Sequence, residues 1–218
     1  MNTTAAKLAG TLVKGEDGTP LIVYRGERSF NGQPGFHTLL PSLSFGSLAA
    51  ARQYAEGTYL ESASDPRIFE CHLNIQKPLF NRADPFIDFP EIVAAVGFDL
   101  ALKLAIRYQD YAINTDNWRC YLDPGDRYHG VAELYAAEPD KLEQLYTNIF
   151  PILDDPEFVE AAKAAGYDGA IYNGTGANLA EREYRIFDAG QAYCARTGKC
   201  FGVAAQRERE LDEEGLTP

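Results

Sequence analysis

Two glutamates placed two residues apart, Glu181 and Glu183, are the side chains of this chain best suited to carry out chemistry. They follow a segment that contains Gly174 and Gly176, and they open an alternating run to Phe187 that is typical of a half-buried strand. Residues two apart on a strand share a face, so both carboxylates would lie side by side behind a mobile loop. Adjacent carboxylates repel, so we expect the pKa of at least one to be raised unless a cation lies between them. The alternative interpretation is a solvated strand edge.

The first predicted strand ends in an arginine, a cation that could lie near these carboxylates. Pro20 to Gly26 is rich in β-branched residues and predicts a strand with Tyr24 and Arg25 at its end. A planar guanidinium can bind an anionic group such as a carboxylate or a phosphate through two parallel hydrogen bonds, and Arg25 could do this. A surface arginine without such a function is the alternative.

The second predicted strand, Leu40 to Phe45, carries two serines, Ser42 and Ser44. It is followed by an Ala-rich segment from Ser47 to Glu56 that predicts a helix, with Ser47 as its N-cap. A serine hydroxyl can both donate and accept a hydrogen bond. Ser42 could equally be a turn serine after a proline.

Aromatic residues close to these segments are candidates for stacking on a ligand or closing a pocket. They are Phe36, Phe45 and Tyr54. Aromatic side chains in such runs more often belong to the core. The nearby His37 is interpreted as a loop histidine rather than a catalyst.

The elements that must position these residues predict an α+β protein. Arg67 to Ile75 alternates strictly and predicts a third strand, and strands return at Asp168 to Tyr172 and Tyr184 to Phe187, with Tyr184 and Ile186 pointing into the core. Helical periodicity fills the centre, at Glu91 to Ile113, Val131 to Phe150 and Pro156 to Ala165, and Tyr193 to Val203 is a candidate for a final strand. We therefore expect one domain over residues 1–205 with a helical insertion at about 81–166, and a charged, disordered tail at 206–218.

Composition narrows the classes of partner. With 218 residues, 45% hydrophobic residues and a net charge of -12, the chain is suited to a globular domain and poorly suited to binding a phosphate backbone. No stretch has the composition of a signal peptide or a membrane span, so we expect no membrane association. Cys194 and Cys200 could close a small disulfide loop in an oxidising compartment, but free thiols are expected without export. Histidines lack ligand spacing, so no metal is expected.

Three short segments occur in an order that resembles the mono-ADP-ribosyltransferases of the Arg–Ser–Glu class, the clostridial branch that includes the binary toxins. The segments are Tyr24-Arg25-Gly26, Ser42-Leu43-Ser44-Phe45 and Glu181-Arg182-Glu183. That family has an Arg on the first strand, a Ser-Thr-Ser on the second and a Glu-x-Glu behind a mobile loop. Further segments are similar to ADP-ribosyltransferase-like domains of phage and mobile-element polyvalent proteins: Asp17 to Gly26, Leu73 to Leu79 and Gly166 to Gly169. The resemblance covers about residues 17–80 and 160–192.

The resemblance implies a split β-sandwich, two small facing sheets around an NAD cleft, and NAD as a substrate. It implies that Glu183 stabilises the positive charge that builds on the ribose as nicotinamide leaves. Glu181 would contact the acceptor, and a Glu at that place goes with arginine acceptors. Ser42 would orient Glu183, but Ser-Leu-Ser replaces Ser-Thr-Ser here and leaves that function open between Ser42 and Ser44. The residues expected to contact NAD are Tyr24, Arg25, Gly26, Ser42, Ser44, Phe45 and Tyr54.

Two other functions use the same residues. An NAD glycohydrolase would transfer ADP-ribose to water, and a binding module of the same fold would bind NAD or a partner without turnover. The expected acceptor is a host protein rather than nucleic acid, for a phage factor, toxin or effector made in a bacterial or phage-infected cytoplasm and then injected or secreted. The oligomeric state stays open.

Overall fold

The computed structural model describes residues 3–28, 36, 40–56, 66–114, 127–174 and 181–201. The chain divides into two compact units: unit 1 contains residues 1–82 and 168–218, and unit 2 contains residues 83–167. The predicted mobile loop beyond Gly174, His37, Cys120, and the predicted tail at 206–218 lie outside the described residues.

The described part of unit 1 contains two β-sheets and two α-helices. The helices are α1 (Thr3–Leu8) and α2 (Leu48–Glu56). Sheet I is antiparallel in the order β1–β3–β10, formed by β1 (Val23–Arg28), β3 (Pro66–Leu73) and β10 (Ala192–Cys194). Sheet II has the order β2–β9–β8–β4, formed by β2 (Leu43–Phe45), β9 (Arg182–Ile186), β8 (Gly169–Asn173) and β4 (Pro78–Asn81). In sheet II, β4 and β8 pair in parallel and the other neighbours pair antiparallel.

Alternate residues of both sheets form a shared apolar core. From sheet I the core takes Val23, Cys71, Leu73 and Ala192, and from sheet II it takes Leu43, Phe45, Ile171 and Ile186. The side-chain period of a strand is two, so Ser44 and Glu183 lie on the face of sheet II that is turned away from this core. The core position of Ile186, with Tyr184 packed against it, confirms the predicted alternation of β9.

Helix α2 packs closely on β1 at a glycine. A Cβ atom on Gly26 would lie 1.9 Å from the carbonyl oxygen of Ala51, so a side chain there cannot be accommodated without moving the helix. The predicted N-cap of α2 is confirmed, because the Ser47 hydroxyl accepts the Ala50 amide at 3.1 Å.

Unit 2 contains five α-helices and one sheet among its described residues. The helices are α3 (Phe89–Val96), α4 (Phe98–Arg107), α5 (Val131–Ala137), α6 (Ile149–Leu153) and α7 (Pro156–Ala164). The sheet has the order β5–β7–β6, from β5 (Phe86–Asp88), β6 (Ala112–Asn114) and β7 (Leu145–Asn148). Asp155 caps α7 by accepting the amides of Glu157 and Phe158 at 2.9 and 3.0 Å.

The α+β class is confirmed, and two predicted helices are corrected. The helix expected over Glu91 to Ile113 is divided at Gly97, whose φ of +85° favours glycine, and the segment ends in strand β6. The helix expected over Val131 to Phe150 ends at Ala137, and its later part forms β7, which pairs with two other strands. Apolar spacing of three and four residues did not distinguish this short buried strand from a helix. No helix in the described part of the chain is long and apolar enough to cross a membrane.

Candidate active site

Antiparallel pairing of β2 with β9 brings Ser44 to Glu183. Ser44 pairs in register with Arg185, and the Ser44 hydroxyl donates to Oε1 of Glu183 at 2.7 Å. Arg185 lies two residues after Glu183 on the same face of β9, and its Nε donates to the same oxygen at 2.7 Å. One carboxylate oxygen is therefore held by two donors from neighbouring strands.

This environment keeps Glu183 ionised at neutral pH. Burial alone would raise the pKa of its carboxyl, but the charge of Arg185 and the hydrogen bonds from Ser44 and Arg185 outweigh burial, so the pKa lies below its usual value. The exposed fraction of the side chain is 19% for Glu183 and 8% for Arg185. The raised pKa expected from repulsion between the two carboxylates is therefore not found at Glu183, because Arg185 binds this carboxylate on its own strand.

The two serines of β2 have different partners. Ser44 contacts Glu183 directly, whereas the Ser42 hydroxyl accepts a hydrogen bond from an Nη1 donor of Arg185 at 3.1 Å. Ser42 is 2% exposed, and the orientation it was predicted to give Glu183 would pass through Arg185. In this geometry the orienting serine is Ser44.

Arg25 is tied to the same serine from the other sheet. Its Nη1 donates to the carbonyl oxygen of Ser44 at 3.1 Å, and its Nε donates to Glu27 at 2.7 Å. The guanidinium also lies over the rings of Phe36 and Phe45, at 5.8 and 5.9 Å from their centroids. Arg25 is 14% exposed, so it is a largely buried, oriented cation rather than a surface side chain.

Glu181 precedes β9 and contacts helix α2 instead of Glu183's donors. Oε2 of Glu181 accepts a hydrogen bond from the hydroxyl of Ser47, the N-cap of α2. The amide of Gly174 donates to the Glu181 carbonyl at 3.0 Å, which links the ends of the segment 175–180. The two glutamates are therefore held separately, each by its own serine.

Tyr172, within β8, and Gly174, just after it, form the wall behind Glu183. A Cβ atom on Gly174 would lie 2.6 Å from Oε2 of Glu183, so this position has room only for glycine while the carboxylate keeps its place. Tyr172 pairs in register with Glu183 and is fully buried. Its hydroxyl helps to lower the pKa of Glu183, although it forms no hydrogen bond of normal geometry with the described residues. Burial raises the pKa of Tyr172, so its hydroxyl keeps its proton.

The remaining residues expected to contact NAD are placed unevenly. Phe45 is 1% exposed within the inter-sheet core, so its ring offers no face for stacking and the expectation is corrected to a core function. Tyr54 is 61% exposed on α2. Tyr24 joins the two sheets through a pair of backbone hydrogen bonds with Gly46, both 2.9 Å. The space next to Gly26 is occupied by helix α2.

Sequence reasoning missed the contacts of four residues of this site: Arg185, Ser47 with Glu181, Tyr172, and Gly174, which it considered only as part of a flexible or closely approaching loop. Arg185 carried a signal, since it lies two residues from Glu183 on a predicted strand and must share its face. The other three depend on strand pairing and on the approach of α2, which the sequence does not specify.

Comparison of the chain with protein-family models, curated proteins and solved structures gave no significant match. Among the described residues, no group of three or more His, Cys, Asp or Glu side chains is arranged to hold a metal ion.

Proposed function

We propose that the protein is a mono-ADP-ribosyltransferase, which breaks the bond between nicotinamide and ribose in NAD and transfers ADP-ribose to an arginine of a protein acceptor. The observation that supports this best is the hydrogen bond from Ser44 to Glu183, on a serine whose carbonyl is bound by Arg25. An Arg–Ser–Glu motif is defined by these residue types, and they meet here from three strands. In this proposal the two sheets of unit 1 are the two facing sheets of an ADP-ribosyltransferase-like fold.

Glu183 is the residue assigned to nicotinamide release. As nicotinamide leaves with the electron pair of the broken C–N bond, positive charge develops on the ribose, and an ionised carboxylate fixed beside it lowers the barrier. Ser44 and Arg185 hold Oε1, so Oε2, the oxygen next to Gly174, is the one left to face the ribose. No reorientation of the carboxylate is needed during the reaction, because its donors are already in place.

Glu181 is the residue assigned to the acceptor. A guanidinium nitrogen of the acceptor would attack the ribose carbon that nicotinamide leaves, and its proton would pass to Glu181. The hydrogen bond from Ser47 gives this carboxylate an orientation independent of Glu183. The net charge of -12 favours a basic protein surface as the source of the arginine over nucleic acid.

Arg25 has the chemistry to contact the pyrophosphate of NAD, but two of its three guanidinium nitrogens already have partners in the protein, so fewer donors are available than the sequence suggested. Its Nε is bound to Glu27 and its Nη1 to the Ser44 carbonyl, while Nη2 makes no hydrogen bond with the described residues. The residue would therefore give NAD one charged contact and hold Ser44 in place at the same time.

A binding module without turnover is a second candidate, and the Arg185–Glu183 contact favours it. A guanidinium 2.7 Å from the carboxylate oxygen weakens the negative potential that Glu183 presents to a ribose. Such a module would bind NAD and release no nicotinamide.

Nicotinamide release from NAD, measured with and without an arginine-rich acceptor, tests the proposal. Glu183→Gln keeps the shape and removes the charge, so both activities should fall by roughly a hundredfold or more. Glu181→Gln should suppress transfer and spare much of the slow hydrolysis. Glu16, an exposed glutamate of unit 1, supplies the matched control Glu16→Gln, which should leave both activities unchanged.

Each alternative has its own outcome in the same assay. Release that the acceptor does not increase, with no labelled acceptor, identifies a glycohydrolase. NAD binding without release identifies a binding module. Equal activity of the wild type and Glu183→Gln would show that this strand is not the active site.

The serines supply a second comparison. Ser44→Ala removes a hydrogen bond to a charged carboxylate, which is worth about 1.5–3 kcal/mol, so nicotinamide release should fall roughly 10- to 100-fold. Ser42→Ala removes a contact to Arg185 rather than a hydrogen bond to the carboxylate itself, so its effect should be smaller. The opposite ranking of the two variants would return the orienting function to Ser42.

A further inference from the structure

Three of the four cysteines lie in the described part of unit 1, and two of them face each other across sheet I. Cys194 of β10 pairs in register with Cys71 of β3, whereas the disulfide loop that sequence spacing would allow in an oxidising compartment joins Cys194 to Cys200. All three described cysteines are free thiols. The thiol of Cys200 donates to the carbonyl oxygen of Gly190 at 3.1 Å, so it has a separate partner.

The hydrogen-bond pattern identifies the Cys71–Cys194 pair as one that brings side chains close. The Ala195 amide donates to the Glu70 carbonyl at 2.9 Å, so residues 70 and 195 form a hydrogen-bonded pair. Such pairs alternate along an antiparallel ladder, which makes the next pair, Cys71 and Cys194, a non-hydrogen-bonded one. Consistent with this, the amide of Cys194 turns away from β3 and donates to the Lys199 carbonyl at 2.8 Å.

At a non-hydrogen-bonded pair the Cα atoms are about 4.5 Å apart and both side chains point to one face. That separation lies within the range of about 4.4–6.8 Å found in disulfides. A covalent bond between Cys71 and Cys194 is therefore compatible with the pairing of the two strands.

The surroundings of the two sulfurs differ. Cys194 is half-buried and begins a turn that the Gly198 amide closes by donating to the Cys194 carbonyl at 2.8 Å. Arg196 and Thr197, in the same turn, are exposed, so small molecules in solvent can reach this turn. Cys71 is fully buried and belongs to the inter-sheet core.

The turn also favours the thiolate of Cys194. Burial opposes ionisation, but the Thr197 hydroxyl and the amides of Thr197 and Arg196 outweigh it and lower the pKa of Cys194 below its usual value. Burial raises the pKa of Cys71. The pKa of Cys194 therefore favours a thiolate that can react with a solute, and Cys71 supplies a protonated thiol on the neighbouring strand.

We propose that Cys194 is an oxidation site for hydrogen peroxide or a related hydroperoxide, and that Cys71 is its resolving cysteine. The Cys194 thiolate attacks one peroxide oxygen, so that an S–O bond forms, the O–O bond breaks, and the hydroxide that leaves becomes water on taking a proton. The Cys71 sulfur then attacks the Cys194 sulfenic acid, forming the disulfide and breaking the S–O bond. The Cys71 proton leaves with that oxygen as a second water. Two thiols are oxidised and one peroxide is reduced to two waters.

Peroxide treatment of the full chain, followed by peptide mapping without reduction, tests the assignment. We expect the intact protein to lose two hydrogens and the map to contain a peptide in which Cys71 is linked to Cys194. The matched control Cys200→Ser should form the same link, and Cys194→Ser should form none. Cys71→Ala should stop at a sulfenic acid on Cys194, trapped by dimedone as a stable adduct.

Alkylation of the untreated wild type gives a measurement that needs no variant. Iodoacetamide should label Cys194 several-fold faster than Cys200, with a rate midpoint at a pH below that of an ordinary thiol. A disulfide from Cys194 to Cys200 or Cys120, a persistent sulfenic acid in the wild type, or equal labelling of Cys194 and Cys200 would overturn the proposal. If Cys71→Ala does not fold, the wild-type map decides alone.

Discussion

Replacing Arg185 by methionine should destabilise the protein and reverse the effect of pH on its stability. The substitution keeps an unbranched side chain of similar length and removes the cation that binds Glu183 at 2.7 Å. The carboxylate would stay buried, with the Ser44 hydroxyl on β2 still donating to it. Removing one member of a buried ion pair costs about 3–5 kcal/mol, because the other charge is left without compensation.

The sign of the pH effect follows from the pKa of Glu183. In the wild type this pKa is lowered by Arg185 and its hydrogen bonds, so the carboxylate stabilises the fold above the usual glutamate pKa of about 4.3. That contribution is lost as the pH falls towards the folded value. Without Arg185, burial is the dominant influence and raises the pKa, so the contribution of Glu183 should instead be present below the usual value and lost as the pH rises through the raised folded value.

Urea unfolding at neutral and mildly acidic pH measures both effects, with four proteins: the wild type, Arg185→Met, Glu183→Gln and the double variant. The double variant should recover much of the loss, since neither charge is then buried alone, and the coupling should be about 0.5–3 kcal/mol. Each protein has one urea midpoint at neutral pH and another at acidic pH, and the difference between them measures its pH dependence. Measured against the same difference in Glu183→Gln, this pH dependence should have opposite signs in the wild type and in Arg185→Met. Additive losses with unchanged pH dependence would refute the ion-pair argument.

Three further changes have expected outcomes that follow from the packing and contacts of unit 1. Gly26→Ala should destabilise by about 1–3 kcal/mol in chemical denaturation, because its Cβ would lie 1.9 Å from the Ala51 carbonyl; Gly46→Ala, whose Cβ would have 3.7 Å to its nearest neighbour, is the control, and equal losses would contradict the argument. Gly174→Ala should displace Oε2 of Glu183, and should therefore reduce nicotinamide release more than NAD affinity. A variant that lost NAD affinity but kept its rate of nicotinamide release would contradict this expectation. Arg25→Ala should weaken NAD binding, measured calorimetrically, by about 1.5–3 kcal/mol, and unchanged affinity in a folded variant would contradict its assignment.

The outline of unit 1 could be predicted because its signals are local. Alternation identified β3 and β9, and the N-cap Ser47 fixed the start of α2 within one residue. Strands β5, β6 and β7 could not be found in the same way, because each has three or four residues and lies beside helical segments. Their strand conformation depends on pairing with one another, which local periodicity does not contain.

The site was predicted at the level of residue types, and the structure adds which of them meet. Glu183, Ser44 and Arg25 come into contact through strand pairing that depends on register. A shift of one residue on β2 would have presented Leu43 to Glu183, and the choice between Ser42 and Ser44 depends on the same register. Burial of Phe45 also follows from register, since it shares its face with Leu43.

The parallel pairing of β4 with β8 has a consequence for synthesis of the chain. Pro78 pairs with Gly169 and Asn81 with Ile171, so the chain leaves for unit 2 and returns at neighbouring strands. During translation, β2 and β4 wait without their sheet II partners until β8 and β9 emerge, while the continuous segment of unit 2 can already begin to fold. A folded unit 2 would hold its own two ends, residues 83 and 167, at a fixed separation and so shorten the flexible loop that β4 and β8 must close. Unit 2 would in this way reduce the entropy lost on forming sheet II and the time during which its edges are exposed to other nascent chains.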